Sequence, residues 1–236
     1  MAPEIRTNAL SLALLAALWL SAVAPPCAAA DAPNPTIERG SDWRAALQSF
    51  AKANLKHPAW GYSHSTRDYE LAKELAAADA VAVDDDVLFA AAYLHDVAAF
   101  APFRTAEDHQ DVAANLVGSL LEGTGFPMKK IDAVRGAIRT HMYGRDPKGP
   151  EAIYLHDADA LDWLGAIGVA RVFGIVDPNG GSPDGPGAVK RLEDSLESVP
   201  PRIVSKAGKM RAEPRVRELK DFLKELRAES GDIKSL

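Results

Sequence analysis

Apolar residues recur along most of the chain at three- and four-residue spacing, which is the period of an amphipathic helix. In the segment that begins at Ser41, the apolar side consists of Trp43, Leu47 and Phe50, and Ser41 itself is a typical N-cap residue. Helices are predicted over 41–55, 64–78, 85–99, 106–122, 127–142, 150–173 and 205–229. Residues 177–187, rich in Gly and Pro, are predicted to be a loop. Strand-like alternation is not sustained anywhere, so the pattern predicts an all-α fold, an orthogonal or irregular bundle rather than a coiled coil.

The first thirty residues have a different pattern. Arg6 is followed by an apolar run from Ala9 to about Val23, and residues 28–30 (AAA) supply the small side chains of a cleavage site. This is the layout of a secretory signal peptide. The run of about 15 apolar residues is short for a membrane span.

We therefore expect residues 1–30 to be a signal peptide that is cleaved after Ala30. The mature protein would be secreted or periplasmic and would keep no stable membrane span. An uncleaved N-terminal anchor is the alternative. Residues 31–40 are predicted to be a disordered tether, and residues 41–230 a single helical domain.

Composition limits the number of domains, the partners and the metal ligands that can be expected of this chain. The chain has 236 residues, 47% of them hydrophobic, which suits one domain with a sizeable core. Its formal net charge is −6, and the basic residues are spread out apart from a modest cluster in 202–217, so a nucleic acid polymer is not an expected partner. The only cysteine, Cys27, lies in the predicted signal peptide. The mature chain could therefore bind a metal only through nitrogen and oxygen ligands.

The stretch "AAYLHDVAAF", residues 91–100, places His95 and Asp96 inside an apolar run. A buried charge is costly unless it is paired or bound to a metal. His95 continues the apolar stripe of its helix, His141 continues another, and Asp159 follows Leu155 by four residues. These groups therefore point inward from different helices. A divalent cation would resolve their burial, and Mn, Fe, Zn and Mg all accept imidazole and carboxylate ligands. The alternative is a helical structural protein with core histidines.

Four segments resemble the HD-domain metal-dependent phosphohydrolases, in particular a small single-domain bacterial branch. The segments are SHSTRDYELAKEL at 63–75, LFAAAYLHDVAAF at 88–100, LHDADALDWLGAIGVARVF at 155–173 and KAGKMRAEPRVRELKDFLKELRAE at 206–229. They occur in the order found in the family and extend over about 41–230. The resemblance implies a single HD-domain helical bundle, in agreement with the pattern of apolar residues.

The resemblance implies a divalent metal ion held by His64, His95, Asp96 and Asp159. Asp157 competes with Asp159 for the last position. The two residues are separated by about 200° around a helix, so only one of them can face the site. The family pattern favours Asp159.

Substrate contacts are expected from Arg67, His109 and His141. Arg67 lies one turn after His64 and could clamp a phosphate, although a salt bridge with a nearby acid (Asp68 or Glu70) is equally expected. His109 is expected to contact the substrate phosphate or a second metal, with a surface histidine as the alternative. His141 is expected to contact substrate or a second metal, with a core histidine bonded to the backbone as the alternative.

The implied activity is hydrolysis of a phosphoester or phosphoanhydride in a small phosphorylated substrate, with a nucleotide as the first class to test. A metal-activated water would attack phosphorus. Nucleotidases of the family often carry a Glu shortly after the His-Asp pair, and "HDVAAF" has none. The general base is therefore unassigned, and Asp96, His109 and Glu107 are the candidates, with Asp96 preferred as the catalytic residue. The alternative function is an HD-fold ligand-binding or sensing module without catalysis.

Overall fold

The structure is a computed structural model that describes residues 34–40 and 42–236. The predicted signal peptide and the predicted N-cap Ser41 lie outside the described residues. Within them the chain forms nine α-helices and no strand, so the all-α prediction is confirmed. The helices are α1 (Trp43–Asn54), α2 (Tyr62–Ala78), α3 (Asp85–Leu94), α4 (His109–Leu121), α5 (Ile131–Arg139), α6 (Pro150–Leu161), α7 (Gly165–Phe173), α8 (Gly185–Ser198) and α9 (Lys206–Glu229).

Short polar side chains start several of these helices by accepting hydrogen bonds from free backbone N–H groups. The Asp42 carboxylate accepts from the backbone N–H of Ala45 at the start of α1. The Asp84 carboxylate does the same for α3, and the Ser205 hydroxyl for α9. Residues 34–40 precede α1 without forming a helix, and Ile37, which lies in the predicted tether, is buried in the core.

The central helix is α3, in which all eight residues from Val87 to Leu94 are buried. α1, α2, α5 and α6 pack around it, α4 packs on α5, and α7 to α9 form a second group joined to the first through α6 and α2. α3 ends at Leu94, so the prediction of one helix over 85–99 was wrong. His95 caps the helix, the chain turns at Asp96, and residues 97–99 form a short 3-10 helix.

Two other predicted helices are shorter or divided. The segment 150–173 forms α6 and α7 separated by three residues, because Leu164 is extended and Gly165, the first residue of α7, has a φ of 66°. The segment 127–142 is a 3-10 turn over 128–130 followed by α5, so that His141 lies beyond the helix. The predicted loop 177–187 ends earlier than expected, since α8 begins at Gly185.

The N-terminus of α9 is held by carboxylates from α6 and from the residue that follows α2. Asp157 of α6 accepts hydrogen bonds from the backbone N–H groups of Val204 (2.9 Å) and Ser205 (2.7 Å). Asp79, which follows α2, accepts from the backbone N–H of Ala207 at 3.0 Å. The positive end of the helix dipole favours these contacts. In the part of the chain that is described, no helix is both long enough and apolar enough to cross a bilayer.

Candidate metal centre

Six residues predicted for the site come together where α2, α6 and the end of α3 meet the start of α4 and the end of α5. They are His64, His95, Asp96, His109, His141 and Asp159. His64 and Asp159 lie within helices, and His109 is the first residue of α4. His95, Asp96 and His141 lie just after helix ends. All except His109 are buried.

His64 is at the centre of the first group of donor atoms. Its Nε2 lies 3.2 Å from His95 Nε2, 3.3 Å from Asp159 Oδ1 and 3.2 Å from Asp68 Oδ2. One donor atom from each of these four residues lies within 4.8 Å of the other three. Two imidazoles and two carboxylates at such spacing form a set that could hold a divalent cation.

Asp96 lies between this group and a second one. Its Oδ2 is 3.3 Å from His95 Nε2 and 3.6 Å from His64 Nε2. Its Oδ1 faces the other way, 3.2 Å from His109 Nε2 and 3.6 Å from His141 Nε2. His95, Asp96 and His141 form a second set of donors that could hold a metal. His95 Nε2 belongs to both sets and can bind only one ion. The geometry therefore suits one cation, or two that share Asp96 if His109 and His141 bind the second.

The buried imidazoles are oriented by hydrogen bonds from their other nitrogen. His95 Nδ1 lies 2.8 Å from the carbonyl oxygen of Ala92, and His141 Nδ1 lies 2.7 Å from that of Ile138. A carbonyl oxygen can only accept, so Nδ1 donates and Nε2 is left to face the cluster with its lone pair in the neutral ring. His64 Nδ1 is held in the same way by Asp162 Oδ2 at 2.9 Å. This is the arrangement usually found behind metal-binding histidines.

The packing of these charges shifts the pKa values of the group. Burial lowers the pKa of His64, and Arg171 lowers it further, but Asp159 and Asp162 outweigh both, so this pKa is raised. Burial raises the pKa of Asp96, yet His95 and His109 dominate and hold it well below its usual range. Burial, reinforced by Asp162 and Asp159, raises the pKa of Asp68.

Unsatisfied oxygens provide a test of whether the residues fit a cation. Both carboxylate oxygens of Asp68 and Oδ2 of Asp159 are buried and have no hydrogen-bond partner among the described residues. Buried polar groups are nearly always hydrogen-bonded, and exceptions call for an ion or a water. A divalent cation would satisfy these oxygens and the Nε2 lone pairs together, so the residues fit such an ion.

The remaining predicted residues lie outside the cluster. Arg67 donates to Asp162, from Nη2 at 2.7 Å and from Nε at 3.2 Å, and so contacts the carboxylate that orients His64. Asp157 faces the start of α9 instead of His64, because it lies on the other side of α6. Glu107 is exposed, two residues before α4.

Sequence reasoning missed three charged residues at the site, namely Asp68, Asp162 and Arg171. Asp68 follows His64 by four residues, a spacing that places both on one side of a helix and could have indicated it. Asp162 and Arg171 lie in the segment LHDADALDWLGAIGVARVF but were not given roles. Arg171 is buried, donates to the carbonyl oxygen of Ala59 at 2.6 Å and lies over the ring of Trp163.

Comparison with known proteins bears on this arrangement. The sequence model described as "HD domain" matches residues 61–164, a range that includes all of the cluster. A comparison with curated proteins finds no match.

Several solved structures have a similar fold. A predicted HD superfamily hydrolase from an uncultured Thermotogales bacterium is 27% identical, with a TM-score of 0.56, covering 79% of this chain and 90% of its own. An HD-superfamily hydrolase from Bacillus thuringiensis is 25% identical, with a TM-score of 0.53, covering 72% and 86%. Bacillus subtilis YpgQ in complex with ADP is 19% identical, with a TM-score of 0.62, covering 79% and 97%. Residues 61–164 match the HD-domain model, and the similar solved structures include HD-superfamily hydrolases, so the resemblance to the HD-domain family that the sequence indicated is confirmed.

Proposed function

We propose that this protein is a metal-dependent phosphohydrolase that cleaves a phosphoester or phosphoanhydride bond. The observation that carries the proposal is the position of Asp96, whose two carboxylate oxygens face two sets of imidazole donors. Phosphoryl transfer needs positive charge beside the phosphoryl oxygens and an activated water, and a divalent cation held by closely spaced donors of this kind would supply both.

The ligands proposed for the ion are His64, His95, Asp96 and Asp159, and His109 and His141 would complete a second position with Asp96. A bound divalent cation would act as a Lewis acid and lower the pKa of a water molecule. The chain's part is to fix the imidazoles through Asp162 and the carbonyl groups of Ala92 and Ile138. Ligands held in place in this way need little rearrangement when the reaction proceeds.

His109 is the proposed point of contact with the substrate. Its side chain is 17% exposed, whereas those of His64, His95 and His141 are almost fully buried. A phosphate that approaches the cluster would therefore meet His109 first. We keep Arg67 as a substrate contact, because its side chain is 33% exposed although it also binds Asp162. His141 is proposed as a second-metal or substrate contact.

A nucleotide is the proposed substrate class. The support is the structure of Bacillus subtilis YpgQ, which shares the fold of this chain and was solved in complex with ADP. The metal is one of Mn, Mg, Fe and Zn, since the mixed nitrogen and oxygen donors suit all four. We propose a secreted or periplasmic location on the basis of the signal-peptide pattern in residues 1–30. Cell fractionation, with the mass of the mature N-terminus, tests this location.

A ligand-binding or sensing module without catalysis is the second candidate. One observation favours it: no acidic residue follows the His-Asp pair before Phe100, so this segment supplies no general base. Asp96 is the proposed catalytic carboxylate in the hydrolase, but it would also be a metal ligand.

A substrate screen decides between the two. The mature chain from residue 31 is incubated with each of the four metals and a panel of nucleoside mono-, di- and triphosphates, and phosphate and pyrophosphate release are measured. We expect metal-dependent release, abolished in His95→Ala and Asp96→Ala. If neither phosphate nor pyrophosphate is released from any substrate, but a nucleotide raises the melting temperature, the sensing module is favoured. Absence of bound metal in the purified protein, with unchanged melting in chelator, would favour a structural role.

A further inference from the structure

Asp68 is a buried carboxylate in an exceptional environment. It lies on α2, one helical turn after His64, and its side chain has no solvent exposure. Neither of its oxygens has a hydrogen-bond partner among the described residues. A buried carboxylate without partners is strongly disfavoured, and such a group calls for an ion, a water or a bound proton.

The nearby cationic side chains contact groups other than Asp68. Arg67, its neighbour in sequence, donates to Asp162. Arg171 donates to the carbonyl oxygen of Ala59 and lies 3.4 Å from Asp162. Neither guanidinium forms a hydrogen bond or an ion pair with Asp68 in the structure.

The closest groups to Asp68 are two imidazole nitrogens. Its Oδ2 lies 3.2 Å from His64 Nε2 and 3.7 Å from His95 Nε2. Arg171 Nη2 lies 3.3 Å from His64 Nε2. A guanidinium can only donate, so this nitrogen carries a lone pair in the arrangement described. A lone pair and a carboxylate oxygen at 3.2 Å repel each other unless a metal ion or a proton lies between them.

We propose that Asp68 is a further ligand of the metal ion, in addition to His64, His95, Asp96 and Asp159. Donor atoms that bind one cation at about 2.0–2.2 Å are separated by roughly 3–4 Å, and the contacts of Asp68 Oδ2 fall in this range. The inference rests on the metal site of the proposed function, but not on the reaction that the site performs.

A fifth protein ligand changes the character of the site. Three carboxylates and two imidazoles carry more negative charge than the divalent ion, and oxygen-rich sets favour harder ions such as Mn²⁺. The Asp68 carboxylate would also be unavailable as a general base while it is bound to the ion.

The test compares Asp68→Asn with two other variants of the mature chain, using Mn²⁺ alone as the probe. Asp157→Asn is the matched control, because Asp157 is also fully buried but contacts the start of α9. His95→Ala is the positive control for loss of the site. The measurements are Mn²⁺ affinity by calorimetry, the Mn²⁺ paramagnetic resonance spectrum, and the melting temperature with and without Mn²⁺.

We expect Asp68→Asn to weaken Mn²⁺ binding at least tenfold and to change the resonance spectrum. Its melting temperature without metal should equal or exceed that of the wild type, because the variant removes an unpartnered buried carboxylate. Asp157→Asn should melt earlier without metal and keep its Mn²⁺ affinity within about twofold. Unchanged affinity and spectrum in Asp68→Asn would overturn the inference.

Crystals of the wild type soaked in Mn²⁺ keep the inference testable if Asp68→Asn does not fold. The expected distance from the anomalous peak to the nearest Asp68 oxygen is about 2.0–2.2 Å. A peak on His64 and His95 that lies more than about 3 Å from both Asp68 oxygens would contradict the inference. If Asp68 binds Mn²⁺ but no phosphate compound is hydrolysed, the proposed function fails and the ligand assignment stands.

Discussion

Asp162 is the residue that controls the orientation of His64. It accepts a hydrogen bond from His64 Nδ1 at 2.9 Å and lies buried in α6's C-terminal turn, where Arg67 also donates to it. Loss of such a carboxylate behind a metal-binding histidine reduces metal affinity about 10- to 100-fold. We therefore expect Asp162→Asn to weaken Mn²⁺ binding by this factor in calorimetry. Affinity equal to that of the wild type would show that the imidazole is held without Asp162.

Arg67 could contribute to the site in two ways, and kinetics together with metal binding can distinguish them. If it clamps the substrate phosphate, Arg67→Ala should raise KM roughly tenfold or more and leave metal affinity unchanged. If Arg67 acts only by holding Asp162, metal affinity should fall, and KM should rise only as a result of the weaker metal binding. We expect the first result, because the guanidinium is one-third exposed. Steady-state kinetics at saturating metal, together with calorimetry, distinguish the two.

His57 should make the free energy of unfolding depend on pH. Burial and the nearby Arg104 lower its pKa from 6.5 to about 4, with a smaller opposing effect from Asp96. Between pH 6.5 and 4 the unfolded chain binds the proton and the folded chain does not, so acidification destabilises the fold. Because the imidazole is only half-buried, we expect about 1 kcal/mol of this loss between pH 7 and pH 5.

The measurement for His57 is urea unfolding of the wild type and His57→Asn at both pH values. The Asn side chain can still accept the hydrogen bond that Ala59 N–H donates to His57 Nδ1. The decrease in the free energy of unfolding from pH 7 to pH 5 should be about 1 kcal/mol smaller in the variant. An equal decrease in both proteins would mean that His57 does not titrate in this way.

Individual site residues could be predicted from the sequence where an ionisable side chain interrupts a run of apolar residues. His95 and Asp96 interrupt a run of small and apolar residues, and the family resemblance indicated His64 and Asp159. The four-residue spacing from His64 places Asp68 on the same side of α2. The polar stretch S-T-R-D around it did not show that this side of α2 is buried against α6, so its burial was not predicted.

At the scale of elements, the end of α3 determines the geometry of the site. The backbone N–H of His95 closes the last turn on Ala91, and the chain then turns, so His95 and Asp96 can both face the cluster. Within a continuous helix, adjacent residues are about 100° apart and would face different directions. The sequence could not predict this end, because the apolar run continues to Phe100 without Gly or Pro.

The packing of α7 makes Gly168 a sensitive position. A Cβ atom there would lie 2.4 Å from the carbonyl oxygen of Trp163, which is backbone and cannot move aside easily. We expect Gly168→Ala to lower the free energy of unfolding by about 1–3 kcal/mol, in the range of overpacking. Gly136 is the control, since it is exposed within α5 and a Cβ there would meet nothing within 4 Å.

Gly136→Ala should raise the free energy of unfolding by about 0.5–1 kcal/mol, because alanine loses less backbone freedom in a helix. Urea unfolding of both variants provides the comparison. A Gly168→Ala protein as stable as the wild type would show that α7 can shift away from Trp163.

At the scale of the whole molecule, the periodic pattern was sufficient for the fold class but not for every helix. α8 was not predicted, although Ala188, Val189 and Leu192 are buried, because the preceding Gly- and Pro-rich residues obscured where it begins. The division between α6 and α7 depends on the conformations of Leu164 and Gly165, which a nearly continuous apolar pattern does not reveal. The bundle itself was predictable because burial of apolar helix faces is repeated along the chain.

The metal cluster should stabilise the molecule as a whole, because its donors come from distant parts of the chain. They are contributed by α2, the end of α3, the start of α4, the end of α5, and α6. An ion that binds only the folded chain stabilises it by about 2.7 kcal/mol at a free concentration one hundred times its dissociation constant. For a chain of this length that corresponds to a rise in melting temperature of roughly 5–10 °C.

Calorimetric melting in chelator and in excess Mn²⁺ measures this effect, with His95→Ala as the control that lacks a central ligand. We expect the wild type to melt later in Mn²⁺ by about this amount and the variant to melt at one temperature in both conditions. A similar rise in His95→Ala would mean that Mn²⁺ acts elsewhere on the surface. Equal melting of the wild type in both conditions would mean that the carboxylates and imidazoles stabilise one another without an ion, as His64 and His95 could do if both were protonated.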